Sequence, residues 1–284
     1  MSSDRPVRQF KVLCLHGHPG NSEAMQIFVR HFQEMGIKTI APDLRGYGRA
    51  KASSAFAMSD HIQDLWDLLE REQDHPNTEY LILGWSLGGI LAIELALRTF
   101  ESQNPQAVTK PKIAGLILIA TAAKPRSSLP KIAWWEYANL VMAVISHLAL
   151  APIAPNTRWH IEWFGKRSLI KYLIQQHTKT AYDRIATTGA KAYLQTSRYA
   201  HRALMLALRQ GYDRTQDLAK IQIPCLAIAA EQDRHITANS TAETAKLLPN
   251  CEFICYPHTA HLLPWEIGDR LLADIAKWCD RNMQ

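Results

Sequence analysis

The sequence lacks the features that define several protein classes. Only five of its 284 residues are cysteines, and these form no CxxC pair or other metal-ligand spacing, which argues against a zinc module and against a disulfide framework. The opening stretch MSSDRPVRQFKVLCLHG contains no apolar segment followed by a cleavage site, so nothing there predicts export. We therefore expect a reduced, cytoplasmic protein.

The chain also lacks a run of about 20 predominantly apolar residues, the length that a membrane-spanning helix needs. The segment that comes nearest, YANLVMAVISHLALAPIAP at residues 137–155, is interrupted by Asn139, Ser146 and His147 and closed by two prolines. We expect this segment to form a buried or pocket-facing helix and not a membrane contact. Internal repeats and low-complexity tracts are missing from the sequence as well.

Short apolar runs alternate with amphipathic segments along most of the chain. Each run is bounded by Gly, Pro, Asn or Asp, and the runs are FKVLCLHG, KTIAPDL, EYLILGW, KIAGLILIAT, PCLAIAAEQD and CEFICYP. Helical spacing lies between them, over residues 22–36, 59–74, 87–100, 238–248 and 264–281. This alternation is typical of parallel strands joined by right-handed helical crossovers. It predicts one large α/β domain whose six parallel strands are covered on both faces.

The alternation stops between Ala123 and Leu218, where only helical patterns occur. We therefore predict a helical cap at residues 124–217, inserted into a core formed by residues 1–123 and 218–284. In an open α/β sheet the ligand site lies beyond the carboxyl ends of the strands. An insertion that leaves from the end of LILIAT would lie above that site as a lid.

A serine stands where the third apolar run ends and a helical pattern begins. The segment LILGWSLGGI contains G-x-S-x-G, with Ser86 between Gly84 and Gly88. In a nucleophile elbow the serine projects from a strained strand-to-helix turn, and glycines prevent collisions with the neighbouring strand and helix. A serine hydroxyl needs a base to remove its proton and an acid to orient that base. The motif thus predicts a catalytic nucleophile, with a tight structural turn as the alternative.

Candidate partners for the serine follow the last two apolar runs. In an elbow of this type the order is serine, acid, histidine; Asp233 closes PCLAIAAEQD, and His261 lies just past CEFICYP. Glu231 competes for the acid, and we favour Asp233 because it stands at the very end of the run. His258 competes for the base, and we favour His261 because it directly precedes the last helical pattern. His235 follows the aspartate too closely to approach the serine independently.

Acyl chemistry also needs hydrogen-bond donors for the developing oxyanion. One donor should be the backbone N–H of Leu87, the residue after the nucleophile. The second should come from the turn LHGHPGN, whose glycines let the backbone approach closely. There the N–H of His18 is the candidate, because Pro19 has none. We expect His16 mainly to order this turn.

Five segments, LHGHPG, PDLRGYG, GWSLGG, AEQD and AHLLPWE, together resemble the α/β-hydrolase superfamily of serine hydrolases with a helical cap. The resemblance covers essentially the whole chain apart from the cap. It implies the α/β-hydrolase fold, with a mostly parallel sheet of six to eight strands, and a reaction that uses no cofactor and no metal. Little chain precedes Gly17 for the two antiparallel strands that usually come first, so six or seven strands are expected. Ala230 and Ala260 depart from the glycines of many relatives.

The predicted cap concentrates positive charge and tryptophan. Residues 124–217 contain fourteen Lys and Arg against five Asp and Glu, a net charge of +9 in a chain whose total is +6. Four of the eight tryptophans also lie there. We predict that Trp134 and Trp135 of the cap, together with Trp85 of the elbow, contact the substrate. An apolar slot under a basic rim would suit an acyl chain with an anionic group, whereas a solvated helix surface is the alternative explanation of the charge.

The charge of the cap and the serine of the elbow argue for some partners and reactions and against others. GWSLGG and a basic cap are similar to the esterases that demethylate pimeloyl esters on acyl carrier protein, so the resemblance implies an acidic carrier as a possible partner. The bases are dispersed along helices without a recognised binding module, which argues against nucleic acid. A serine in place of an elbow aspartate argues against epoxide opening and halide displacement.

The sequence thus predicts a serine hydrolase that cleaves a carboxylic ester or thioester of a small-molecule substrate through an acyl-enzyme. Carbon–carbon bond hydrolysis uses the same residues and stays open. A non-catalytic sensor or binding protein, which keeps the fold and holds a small molecule in the lidded pocket, is the alternative from another class.

Overall fold

Six parallel strands form one sheet in the computed structural model, which describes residues 9–101, 110–150, 153 and 159–283. The strands lie side by side in the order β2-β1-β3-β4-β5-β6. Their bounds are β1 Gln9–Leu15, β2 Lys38–Ile40, β3 Thr78–Trp85, β4 Lys112–Ile119, β5 Cys225–Ala230 and β6 Cys251–Tyr256. The predicted α/β fold and its six parallel strands are confirmed.

Eleven α-helices are found in the described part of the chain. They are α1 Gln26–Glu34, α2 Met58–Arg71, α3 Leu87–Glu101, α4 Trp134–Leu150, α5 Trp159–Trp163, α6 Lys179–Arg184, α7 Ala190–Gln195, α8 Arg198–Arg209, α9 Ala238–Leu247, α10 Leu263–Glu266 and α11 Gly268–Asn282. Short 3-10 turns at Ser22–Met25, Gly165–Arg167, Leu169–Tyr172 and Leu218–Lys220 and a π-helical turn at Ile185–Gly189 complete these elements. The last predicted helix, 264–281, is divided into α10 and α11.

The strands bury alternate side chains on the two faces of the sheet, as the period of two in a strand requires. On one face Leu13 and Ile82 belong to the same apolar cluster as residues of α2, α3 and α8. On the other face Val12 and Leu81 belong to a cluster with residues of α1 and α11. All eight residues of β3 are buried. The central strand therefore brings its carboxyl end, and the residue after it, to a fixed place.

The helices between β4 and β5 build a smaller apolar cluster of their own. Ala143 of α4, Ile161 of α5 and Tyr182 of α6 pack together there, and Leu262 and Trp265 join this cluster from the segment after β6. Helix α8 differs, because it packs in the main core against α2. The division of the chain at residues 124 and 217 stays a prediction.

Helix α4 exposes the apolar side that the sequence predicted to be buried. Within 137–155 we expected a buried or pocket-facing helix, but α4 exposes most of its apolar side chains, with Val141 53% and Ile145 56% exposed. Its buried residues are Glu136, Ala143 and His147. Burial of the apolar side is therefore wrong, because Glu136 and His147 on the opposite side pair with Lys171 and Asp183 of other segments. That the exposed side faces a pocket stays a prediction.

Three sequence expectations fall partly outside the described residues. The first is the expectation about export, which concerns residues 1–8. The second is that Pro152 and Pro155 close the apolar segment. The third is the count of basic residues in the predicted cap, which includes Arg158. No helix in the described ranges combines the length and the hydrophobicity that crossing a bilayer requires.

Candidate active site

Ser86 occupies the turn between β3 and α3 in a left-handed backbone conformation, with a φ of 56°. Such an angle is unfavourable for a residue with a side chain and persists only where the surroundings fix it. Here the Ser86 N–H donates to the carbonyl of Ile119 at 2.9 Å. A methyl group on Gly84 would overlap the Gly88 backbone, and one on Gly88 would overlap the carbonyl of Leu15. The two motif glycines are therefore a steric requirement of this turn.

The structure brings the predicted nucleophile, base and acid together. The Ser86 hydroxyl lies 3.0 Å from His261 Nε2, and His261 Nδ1 lies 2.7 Å from Asp233 Oδ2. All three residues are buried, with 8%, 6% and 4% exposure for Ser86, His261 and Asp233. With Nδ1–H donating to the carboxylate, Nε2 is left to accept the serine proton. This geometry can support proton transfer from the hydroxyl and nucleophilic attack by its oxygen.

The carboxylate of Asp233 is fixed by two further hydrogen bonds. Its Oδ1 accepts the backbone N–H of His235 at 2.7 Å and that of Ile236 at 3.1 Å. The rival residues lie elsewhere: Glu231 and His258 are exposed, and the His258 N–H is 3.4 Å from Glu231 Oε2. The geometry therefore favours the pairing of Asp233 with His261 over the two alternatives.

His235 stacks on the predicted base. The two imidazole centroids are 4.8 Å apart and the ring planes differ by 25°. Burial, and next the charge of His261, lower the pKa of His235 to about 4, so this ring is neutral at pH 7. It covers one face of His261 without placing a positive charge beside it.

A metal ion is conceivable at this place, because Asp233, His235 and His261 offer ligand atoms within 4.8 Å of one another. The Asp233 carboxylate, however, already accepts two backbone N–H groups at Oδ1. His261 also already has partners for both nitrogens. The arrangement fits a hydrogen-bonded triad better than it fits a ligand set.

The turn after β1 lies directly against the serine. A methyl group at Gly17 would stand 3.1 Å from Ser86 Cβ and 3.7 Å from Ser86 Oγ. Leu87 is the first residue of α3, so its N–H has no acceptor within the helix. The predicted donors, the N–H groups of Leu87 and His18, thus belong to segments on either side of Ser86. Their role in binding an oxyanion stays a prediction.

Two histidine side chains stabilise this turn. His16 is fully buried; its Nδ1–H donates to the Gly17 carbonyl at 2.8 Å, and its Nε2 accepts the Leu44 N–H at 3.1 Å. Burial lowers the pKa of His16 to about 4, which keeps Nε2 available as an acceptor. His18 Nδ1 is hydrogen-bonded to the Tyr47 hydroxyl at 2.8 Å, and His18 Nε2 lies 3.1 Å from His201 Nδ1 on α8.

The three predicted substrate-binding tryptophans lie in two different settings. Trp85 is 4% exposed; its indole N–H donates to the His261 carbonyl at 3.1 Å, and its ring packs edge-on against Trp265. Trp85 therefore packs against the His261 segment, and its contact with substrate stays a prediction. Trp134 and Trp135 are 78% and 55% exposed at the start of α4, and their contact with substrate stays a prediction.

Sequence reasoning missed one residue that supports the base. Glu266 Oε1 accepts the N–H of Ala260, the residue before His261, at 2.7 Å. Its Oε2 accepts the N–H groups of Gln175 and Gln176, each at 2.7 Å. One carboxylate therefore connects the His261 segment to the helical insertion. Its position five residues after the histidine, in AHLLPWE, was the only available signal.

Comparison with known proteins extends over most of the chain. A family model described as serine aminopeptidase, S33, matches residues 7–267. A proline iminopeptidase of Saccharolobus solfataricus is 22% identical over 276 residues, which is 95% of this chain and 84% of that protein. A pimeloyl-[acyl-carrier protein] methyl ester esterase of Hamiltonella defensa is 22% identical over 257 residues, or 88% and 85%. The solved structure of a thermophilic esterase from Thermogutta terrifontis matches with a TM-score of 0.65 and 20% identity, covering 97% of this chain and 91% of that one.

Proposed function

Because the chain belongs to the serine aminopeptidase, S33, family of α/β hydrolases, we propose that it is a serine hydrolase that cleaves a carboxylic ester or thioester. The observation that carries this proposal is the continuous hydrogen-bonded series from the Ser86 hydroxyl through His261 to Asp233, at 3.0 and 2.7 Å. A cytoplasmic location belongs to the same proposal, since Cys14, Cys225, Cys251, Cys255 and Cys279 are all free thiols.

The proposed reaction has two halves. Ser86 Oγ attacks the acyl carbon while its proton moves to His261 Nε2, and the oxyanion accepts hydrogen bonds from the N–H groups of Leu87 and His18. The tetrahedral intermediate then expels the alcohol or thiol, which takes the proton from His261. Water attacks the acyl-enzyme by the same path, with His261 as base, and releases the acid and the free serine. Asp233 stabilises the imidazolium in both halves.

The contacts of the acidic residues favour esters over peptides with a free amino terminus. An enzyme for such peptides needs unpaired acidic groups to bind the substrate ammonium. In the insertion Glu136 pairs with Lys171 and Asp183 with Lys179. Glu266 near the base already accepts three backbone N–H groups. We therefore expect hydrolysis of acyl esters to exceed that of prolyl amides.

An acidic carrier of the acyl group is the finer form of this proposal. A relative acts, by its name, on a pimeloyl ester of acyl carrier protein. Arg198 and Arg202 are exposed on α8, the helix whose His201 contacts His18 of the predicted oxyanion turn. If a carrier docks there, Arg198→Ala/Arg202→Ala should slow hydrolysis of a carrier-bound methyl ester and leave a small free ester unaffected.

The central test is turnover combined with active-site labelling. The protein should hydrolyse members of a panel of p-nitrophenyl acyl esters and react with a fluorophosphonate probe. Ser86→Ala should lower kcat by about 10⁴-fold or more and abolish labelling. Persistent labelling of the alanine variant would show that another residue is the nucleophile.

The rival residues supply matched controls for the two partners. His261→Ala and Asp233→Asn should each lower kcat by about 10³-fold or more. His258→Asn and Glu231→Gln change the same residue types nearby and should stay within about twofold of the parent. A single acylation followed by long retention of the acyl group, without turnover, would instead favour the alternative that the protein is a non-catalytic sensor of a small molecule.

A further inference from the structure

The outer side of α4 is an exposed apolar surface. Trp134, Val141, Ile145 and Leu148 recur at helical spacing on one side of the helix, and they are 78%, 53%, 56% and 48% exposed. Tyr137 adds to the same side with 52% exposure. Monomeric proteins rarely leave so large a contiguous apolar area in water, and where they do it marks contact with a protein or a membrane.

Buried polar contacts fix this orientation of the helix. On the inner side Glu136 is 3% exposed and forms an ion pair with Lys171 at 2.6 Å. Near the end of α4, on the same inner side, His147 has its Nε2 2.6 Å from Asp183 Oδ1. Turning α4 to bury its apolar side would break both contacts, that of Glu136 with Lys171 and that of His147 with Asp183. The apolar surface is therefore a fixed feature of the molecule.

The position of α4 directs this surface outward. Helix α4 packs against α5, α6 and the π-helical turn at Ile185–Gly189. These elements in turn contact the main core, α6 through α10 and the π-helical turn through Ser22–Met25. Helix α4 thus packs mainly on other helical elements of the insertion, and none of these main partners is a strand of the sheet.

Aromatic and basic residues border the apolar surface. Trp163 of α5 is 61% exposed, and the Arg167 guanidinium lies 5.1 Å from its ring centroid. Asn139 of α4 donates to the Arg167 carbonyl at 3.3 Å, so this arginine lies beside the helix. Lys131, exposed just before α4, and Lys166 add two more cations. Lys166 forms an ion pair with Glu162, and Lys171 forms one with Glu136. When both pairs are counted as neutral, Arg167 and Lys131 leave the border an excess of two positive charges.

We propose that the exposed side of α4 docks the protein onto an anionic lipid bilayer, with the helix lying in the plane of the interface. Tryptophan and tyrosine side chains favour the depth of the lipid headgroups. Apolar contact supplies the binding free energy, and the basic border is attracted to acidic headgroups. Arg167 over Trp163 provides both kinds of contact at one place.

A second copy of the chain fits this surface less well. A twofold contact pairs the same patch with itself, so the basic border of one copy would meet that of the other. Like charges at such short range repel. An anionic surface complements the border, whereas a symmetric dimer does not.

The test measures binding of the Ser86→Ala protein to vesicles, so that the result does not depend on hydrolysis. The protein should co-sediment with phosphatidylglycerol–phosphatidylcholine vesicles, bind pure phosphatidylcholine more weakly, and dissociate as salt rises. Val141→Glu/Ile145→Glu should lower partitioning by about tenfold or more. Leu206→Glu/Leu247→Glu places the same charges on exposed leucines of α8 and α9 and should bind like the parent.

Three results would overturn the proposal. The first is no binding of the parent to anionic vesicles, and the second is binding that both double variants retain equally. The third is a dimer in sedimentation velocity that Val141→Glu/Ile145→Glu dissociates, which would assign the surface to a second copy. Tyr137→Glu serves as an independent single variant, and an unchanged urea midpoint shows that each variant folds.

Discussion

At the scale of single residues, Gly17 leaves space open beside the predicted nucleophile. An added methyl group would lie 3.1 Å from Ser86 Cβ and 3.2 Å from the Trp85 carbonyl, closer than most real contacts. The turn could accept it only by moving away from the serine, and the His18 N–H would move with it.

Gly17→Ala should therefore impair the reaction more than the fold. We expect kcat on an acyl ester to fall by about 10²-fold, as loss of one aligned oxyanion donor does, with a urea midpoint near that of the parent. Gly189→Ala is the control, since its methyl would meet only ordinary contacts, the nearest being 3.4 Å from Trp265. Equal activity of the two variants would contradict the placement of the oxyanion site.

Glu266 is a positioning residue whose effect passes through the backbone of the His261 segment. Burial raises the pKa of this carboxyl, although three backbone N–H groups oppose that shift. Glu266→Gln turns one acceptor oxygen into a donor that faces an N–H. An unmatched buried donor costs about 1–3 kcal/mol.

For Glu266→Gln we expect this loss of stability together with a fall in kcat of about 10-fold to 100-fold, because a displacement of about 1 Å in a catalytic group has effects of that size. The KM should change little. The Glu243→Gln variant, which alters an exposed ion pair with Arg126, is the control. A variant that loses stability but keeps kcat would reduce Glu266 to a purely structural role.

The contrast between Ser86 and Glu266 explains how much of the site the sequence could predict. The elbow and the order serine, acid, histidine are local patterns with a steric cause, so Ser86, Asp233 and His261 could be selected from 284 residues. Glu266 contacts the nearby Ala260 N–H, but its link to the insertion depends on N–H groups about 90 residues away in the chain. No periodicity or motif encodes that distance.

At the scale of elements, strands and helices were predictable where one side of each is plainly apolar. Helix α4 was not, because its sequence is apolar on most sides and its orientation depends on Glu136 and His147 finding partners in distant segments. A hydrophobic pattern gives the extent of such a helix but not the side that is buried.

The two ends of the insertion meet beside α3. The Arg214 N–H donates to the Ala123 carbonyl at 2.9 Å, and its guanidinium forms a two-bond pair with Glu94 at 2.8 and 2.9 Å. Two-bond arginine–carboxylate pairs are among the stronger hydrogen-bonded contacts. This pair connects the end of the insertion to the helix that carries the nucleophile turn.

Arg214→Met should lower the free energy of unfolding by about 1–3 kcal/mol, measured by urea denaturation. Lys220→Met removes an exposed pair with Asp217 and should change stability by less than about 1 kcal/mol. A double-mutant cycle with Glu94→Gln isolates the pair itself. A coupling free energy near zero would show that the pair does not stabilise this junction.

At the scale of the whole molecule, buried neutral histidines make the fold sensitive to acid. Burial lowers the pKa of His16 and of His61 to about 4. Their ordinary pKa in an unfolded chain is about 6.5, so between pH 6.5 and 4 the unfolded state binds more protons than the folded state. Stability therefore falls as pH falls through this window, by about 2 kcal/mol per histidine at pH 5.

His61 is the histidine with which this dependence can be tested without touching the site. It is 1% exposed, lies between the rings of Phe56 and Tyr47, and neither ring nitrogen has a hydrogen-bond partner within the described residues. His61→Leu removes two unmatched polar atoms, so the protein should be at least as stable at pH 7 and lose less stability on going to pH 5. Urea denaturation at both values measures the change, and His75→Leu, at an exposed histidine, is the control. If His61→Leu kept the full acid sensitivity of the parent, the uptake of protons on unfolding would have to come from other groups.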